Sequence, residues 1–194
     1  MHGLINHSIE YFVRDSYGIA AWQDVAARAC CNPGGFAPFR DYPDRLTLQL
    51  IVASASVLGK PVDELLEDAG AWLARQPVLR RLLRFSGSSY SDFVLSLEEL
   101  PDRMHLVLPT LEMPRITVSG KGSGRFRVVV TCSPSEWRSV IAGMLRAMSD
   151  DYGALALIID DGAGITVDVS EEAFADAQDF QLAAQSVSPR AALR

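Results

Sequence analysis

Several function classes require residues that this chain has little of. It has three cysteines, with Cys30 and Cys31 adjacent and Cys132 distant, so it meets neither disulfide nor zinc spacing. The thiols read as reduced, buried small residues. Positive charge is short: a net charge of −6 and a pI near 5.0 leave no basic excess for nucleic acid or an anionic membrane. No apolar run is long enough to cross a bilayer, and the N-terminus lacks a signal peptide's basic start and apolar core, so the cytoplasm is the expected location. Histidine is scarce too: His2, His7 and His105 are the only imidazoles. There is no internal repeat and no low-complexity linker.

What is present is a single globular unit. Its 194 residues, 48% apolar and 22% charged, suffice for one soluble domain with a core of its own. The first half is helical by periodicity. Ile5, Ile9, Phe12 and Val13 recur on one helix face, Tyr17-Gly18 ends that helix, and Trp22, Val25 and Ala26 begin a second. Asn32-Pro33-Gly34-Gly35 stops it. Asp44 is placed to cap a third helix, which Gly59 closes, and Pro61 begins a fourth. Val78 to Phe85 forms a short fifth piece, Gly87-Ser88-Ser89 breaks the pattern, and a helix surrounds Phe93.

After Pro114 the period changes from helix to strand. Ile116 and Val118 alternate with polar residues, as do Phe126, Val128 and Val130, giving a hairpin around Gly120 to Gly124. Ser133-Pro134 caps a helix carrying Trp137, Val140, Ile141, Met144 and Met148. Leu155 to Ile159 and Ile165 to Val169 form a second hairpin. The expected class is therefore α+β: a helical part over about 1–88, a mixed part over about 89–180 and a frayed end over 186–194.

No catalytic constellation emerges. Glu98-Glu99, Asp150-Asp151, Asp160-Asp161 and Glu171-Glu172 sit at turns or helix edges, where solvated acid pairs are common. Ser88 and Ser89 lack a placed histidine and acid, and the Gly120 to Gly124 run lacks the spacing of a phosphate loop. No catalytic residue is assigned.

The segment Phe93 to Pro114, FVLSLEELPDRMHLVLPTLEMP, resembles the helix bearing the iron-ligating histidine in the heme nitric oxide/oxygen-binding (H-NOX) sensor family. In that family a Leu-Asp-x-Leu-His run precedes Tyr-Pro and then Pro-x-Phe. Leu97-Glu98-Glu99-Leu100 matches the run, Leu108-Pro109 matches Tyr-Pro, and Pro114-Arg115-Ile116 matches Pro-x-Phe. Pro101 stands at the histidine's place, and His105 follows one helical turn late. The opening MHGLINHSIEYFVRDSYG and the connection VLGKPVDELLEDAGAWL are similar to the family as well, and the resemblance runs from Met1 to about Val169.

The resemblance implies an H-NOX-like fold with an N-terminal helical layer and an antiparallel sheet packed on a long helix. It also implies a pocket at Ile5, Ile9, Leu73, Pro77, Leu97, Pro101, Pro114, Ser133, Val140 and Met144. The family's Tyr-x-Ser-x-Arg propionate clamp falls on Thr131-Cys132-Ser133-Pro134-Ser135, where only Ser133 is retained, and two serines cannot reproduce an arginine–carboxylate fork. Family-type heme is therefore not expected. Heme b is the alternative, with His105 as the iron and metal ligand, for which the helix would have to break and restart at Pro101. His7 reads as solvent-facing. None of the residues Ile5, Ile9, Leu73, Pro77, Val140 and Met144 donates a hydrogen bond, so a bound heme would favour nitric oxide or carbon monoxide over oxygen.

Three readings follow. The first is a small-ligand sensor and signalling domain that has lost family-type heme ligation and offers an apolar pocket to a hydrophobic small molecule. The second is a heme-binding nitric oxide or carbon monoxide sensor using His105, and the third is a protein-interaction module with a filled cavity. The resemblance to free-standing bacterial members implies a separate partner, a histidine kinase or a cyclic-di-GMP enzyme.

Overall fold

The computed structural model describes residues 2–120, 124–131 and 137–171. Helix α1 (Gly3–Arg28) contains the expected stop and restart as one kink, where Gly18 takes φ 88 and ψ 169. Only glycine adopts that conformation without strain, so the break falls where the sequence placed it. Trp22, fully buried, donates its indole N–H to the Pro33 carbonyl at 2.9 Å and pins the chain that follows. Cys30 is exposed, contrary to expectation, because with φ 53 it takes the left-handed position that ends α1; Cys31 is half-buried.

Helix α2 spans Asp44–Leu58 and α3 spans Val62–Arg75. Pro43, not Asp44, is the N-cap of α2, and Pro61 likewise precedes α3; neither start carries a side-chain cap. Asp44 instead lies in the first turn, where a carboxylate complements the helix dipole. Gly59 closes α2 in the left-handed conformation, its N–H bonded to the Ala55 carbonyl. Helix α4 (Pro77–Arg84) follows, then α5 (Tyr90–Ser96), whose start is a capping box between Ser89 and Asp92.

The expected interruption near Pro101 is present. A single 3-10 turn at Leu97–Glu99 separates α5 from α6 (Leu100–Val107), with Pro101 the second residue of α6. Proline has no N–H to give the Leu97 carbonyl, which accepts instead from Leu100 N–H. The Ser96 carbonyl accepts from the Arg103 guanidinium at 3.1 Å, and the same guanidinium donates to the Ser86 hydroxyl at 2.6 Å. Glu98 accepts the Val118 N–H at 2.7 Å and fastens the turn to the sheet.

The sheet has strands β1 (Arg115–Ser119), β2 (Arg125–Thr131), β3 (Leu155–Asp160) and β4 (Ile165–Glu171), in the order β1-β2-β4-β3 and antiparallel throughout. Ile116 pairs with Val130 and Val118 with Val128, as a hairpin between those runs requires. Ile116, Val118, Phe126, Val128, Ile165 and Val167 fill the inner face beneath α7 (Trp137–Tyr152). The expected cap of α7 at Ser133-Pro134 and the tail beyond Glu171 lie outside the described residues.

Apolar burial forms two clusters. One joins α1, α2 and α3 around Phe12, Trp22, Leu50 and Leu65. The other joins the sheet and α7 to α5 and α6, and draws Ala74 and Leu83 from α3 and α4. Helices α3 and α7 cross with their backbones touching at two glycines. A Cβ on Gly70 would overlap the Val140 carbonyl, and one on Gly143 would overlap the Glu67 carbonyl. An Arg146–Glu67 ion pair closes the same crossing.

Candidate functional site

The residues singled out from sequence do not all converge. Leu97 and Met144, 1% and 6% exposed, lie in the cluster shared by the sheet, α5 and α7, with Val140 half-buried against it. Pro114 is buried, and Pro101 is half-buried at the start of α6. Ile9 packs instead on the α1–α2 cluster, Ile5 and Leu73 are half-buried, and Pro77 is exposed as the first residue of α4. Ser133 lies outside the described residues.

The three histidines separate as well. His105 is exposed in the last turn of α6. His2 is buried and caps α1, its Nδ1 accepting Leu4 N–H at 3.2 Å. His7 is not simply solvent-facing: it is half-buried, its ring centroid is 4.4 Å from that of Tyr11 and its Nδ1 is 3.8 Å from Glu10. The cause is Glu10, a carboxylate 2% exposed on the next turn of α1, which accepts from Arg14 at 2.7 Å and from Phe36 N–H at 3.0 Å. Thr131, at the clamp's first position, is exposed. Among the described residues, no group of three or more histidine, cysteine and acidic side chains gathers as a metal site. Nor is any described helix long and apolar enough to cross a membrane.

Between α5 and α7 lies an aromatic cluster that the sequence did not announce. Phe93 stands 5.9 Å from Tyr90 and 5.8 Å from Tyr152, centroid to centroid. Tyr90 donates its hydroxyl to the Leu145 carbonyl at 2.9 Å, and Tyr152 to the Gly87 carbonyl at 3.1 Å. Leu97, Leu100, Ile141, Leu145 and Met148 surround the rings at no more than 1% exposure. Helix α5 thus rests on α7 through side chains. Phe93, Leu97 and Leu100 recur at helical spacing, which is the signal that would have assigned this face to the core.

Burial, reinforced by the Asp150 charge and opposed by Arg146, pushes the Tyr90 phenol well above its ordinary range. A raised folded-state value means that the neutral phenol's contribution is whole below the unfolded value of about 10 and is lost as pH rises past it. Chemical denaturation between about pH 9 and 11 should therefore show stability falling with pH. In Tyr90→Phe that decline should flatten, at a cost of about 1 kcal/mol near neutral pH for the lost hydrogen bond to Leu145. An unchanged alkaline slope in the variant would assign the effect elsewhere.

A separate surface depression of about 180 Å³ lies between α3, α4 and α7, floored by Ala74, Ala147 and Met148 and rimmed by Arg75, Arg80, Asp150 and Asp151. That volume is below the roughly 300–1,000 Å³ of typical small-molecule sites.

The Haem-NO-binding family model matches residues 2–154. Soluble guanylate cyclase 89Da of Drosophila melanogaster is 19% identical over 160 residues, which cover 81% of this chain and 24% of that protein. Soluble guanylate cyclase gcy-31 of Caenorhabditis elegans is 26% identical over 117 residues, covering 59% of this chain and 17% of that protein. The chain thus spans about a quarter or less of these curated relatives. Among solved structures, a mutant H-NOX of T. tengcongensis superposes with a TM-score of 0.73 at 14% identity, over 88% of this chain and 98% of that one. The Fe(II) unliganded H-NOX protein from K. algicida gives 0.73 at 17% identity, over 88% and 97%. At those identities the superpositions show the fold: helices followed by a four-stranded antiparallel sheet. With its family model covering residues 2–154 and that fold shared along nearly the whole length of the solved domains, the chain belongs to the Haem-NO-binding family, a sensor-domain fold related to soluble guanylate cyclases.

Proposed function

We propose that this chain is a signalling domain of the H-NOX fold that works without family-type heme ligation and acts through protein contacts. The packing of α5 directly on α7 carries this reading. Heme held by a protein needs an imidazole aimed at iron, a slot one porphyrin thick and partners for its propionates. Here Pro101 holds the ligand's place, His105 faces solvent, and Thr131 at the clamp is exposed. The rings of Tyr90, Phe93 and Tyr152 lie between the two helices, in one buried apolar cluster with Leu97, Leu100 and Met148. These residues do not fit a family-type heme. The third of the three sequence readings, an interaction module with a filled cavity, is the one this packing favours.

The chain matches only the sensor portion of the cyclases, so catalysis is assigned to a separate or linked effector. The family resemblance suggests a histidine kinase or a cyclic-di-GMP enzyme for that role. Native mass spectrometry of the purified protein tests the filled core: the expected mass is that of the polypeptide alone. A stoichiometric small-molecule adduct, released on denaturation, would restore the ligand-pocket reading.

A further inference from the structure

Arg103 of α6 is a half-buried cation held by neutral groups only. Its guanidinium offers five N–H donors. Nη1 donates to the Ser86 hydroxyl at 2.6 Å and Nη2 to the Ser96 carbonyl at 3.1 Å. Nε is buried and meets no acceptor among the described residues. Arg80 and Arg84 nearby are both paired with Asp151, but Arg103 has no such carboxylate among the described residues. A charge withdrawn from water is ordinarily paired, so a guanidinium with a donor to spare points to an anion that belongs beside it.

The hydroxyl that Arg103 holds lies in the loop between α4 and α5, residues 86–89, and the serines of that loop differ in what faces them. Ser88 donates its hydroxyl to the Asp92 carboxylate at 3.1 Å, and Ser89 donates its N–H to the same carboxylate at 3.3 Å. A dianion on either would meet that charge. Ser86 faces a cation instead. It is half-buried at the surface, next to Phe85, which is 81% exposed. The chain ahead of it, RQPVLRRLLRF over 75–85, carries four arginines and no acid, within a protein of net charge −6. Arg84 and Arg81 stand two and five residues before the hydroxyl.

We propose that Ser86 is a phosphorylation site and that Arg103 receives the phosphate. A separate serine kinase transfers the γ-phosphoryl group of a nucleoside triphosphate. The bond from Ser86 Oγ to phosphorus forms, and the bond from phosphorus to the β,γ-bridging oxygen breaks. The hydroxyl proton passes to the kinase's base, and the nucleoside diphosphate leaves. Three charged oxygens then stand where Arg103 had one neutral acceptor, and charge-assisted bonds of this kind order the loop that carries them. Arg103 already reaches the Ser96 carbonyl, where α5 gives way to the 3-10 turn. The phosphate thereby fastens α6, across the interruption at Pro101, to the loop between α4 and α5. This site does not depend on whether the core holds a ligand.

The full chain with phosphoserine installed at position 86 tests the receiving site. By phosphorus NMR, the second ionisation of that phosphate should fall below its ordinary value of about 6, because the guanidinium favours the dianion. Amides of α6 should exchange at least about threefold more slowly than in the unmodified chain. Both effects should vanish in Arg103→Gln. Phosphoserine at position 88, beside Asp92, should show neither, which gives a comparison that holds even where Arg103→Gln does not fold. A serine kinase that reads upstream arginines, supplied with magnesium and adenosine triphosphate, should label Ser86 at least about tenfold faster than Ser88 or Ser89 by mass spectrometry. An ordinary ionisation at position 86, unchanged α6 exchange, or label mainly on another serine would overturn the proposal. So would inorganic phosphate slowing α6 exchange equally in the unmodified chain and in Ser86→Ala, which would make this a site for a free anion.

Discussion

Gly143→Val should cost about 3 kcal/mol or more, a large fraction of the stability of a domain this size. The reason is local. A side chain at Gly143 would enter the Glu67 carbonyl of α3, and backbone, unlike the end of a flexible side chain, cannot swing aside. Helices α3 and α7 would have to separate, loosening the Val140–Gly70 approach and the Arg146–Glu67 pair together. Gly162 provides the control. Unlike Gly143, it has a positive φ, 85°, and a Cβ there meets open space. Gly162→Ala should cost only about 1–2 kcal/mol, from backbone strain alone. Urea denaturation of the two variants separates the effects, and comparable small losses in both would show that the helix crossing is looser than its glycines imply.

Phe93→Ala should lose about 3–5 kcal/mol and leave a cavity between α5 and α7. Phe93 is fully buried and stands within 6 Å of two other rings, neither of which can move far into its volume without breaking its tyrosine hydrogen bond. A dry apolar cavity of that kind binds small aromatic molecules. Benzene should accordingly raise the variant's melting midpoint while leaving the unaltered protein unmoved, because only the variant has space to bind it. Equal stabilisation of both proteins would mean that the slot between α5 and α7 is already open.

Much of the fold was legible because its signals are local. Gly18 marks a kink, Gly59 a left-handed helix end and Pro101 an interruption, each through the conformation that one residue permits or forbids. Both hairpins follow from alternation. The pairing of β2 with β4, which joins the hairpins into one sheet, is a long-range contact with no such marker. The start of α2 was read one residue late, with Asp44 as its cap, and that of α3 one residue early, with Pro61 as its first residue, because a proline in the N-cap position supplies no side-chain acceptor to recognise. The family was legible from spaced motifs, but the state of its pocket was not. Leu97 and Met144 would be apolar either lining a slot or filling it. What decides between those states is the aromatic contact of Tyr90 and Phe93 with Tyr152, some sixty residues apart. The burial of Glu10 had no marker in the sequence either: Gly35, with φ 94 and no Cβ, lets its carboxylate sit buried against the backbone.

The visible spectrum of protein purified from heme-supplemented cells bears most directly on whether this member of the family has given up iron ligation. The expected spectrum has no stoichiometric Soret band, any residual colour being lost on a desalting column. A stoichiometric band that persists through desalting and disappears in His105→Ala would contradict it, making the chain a heme sensor after all.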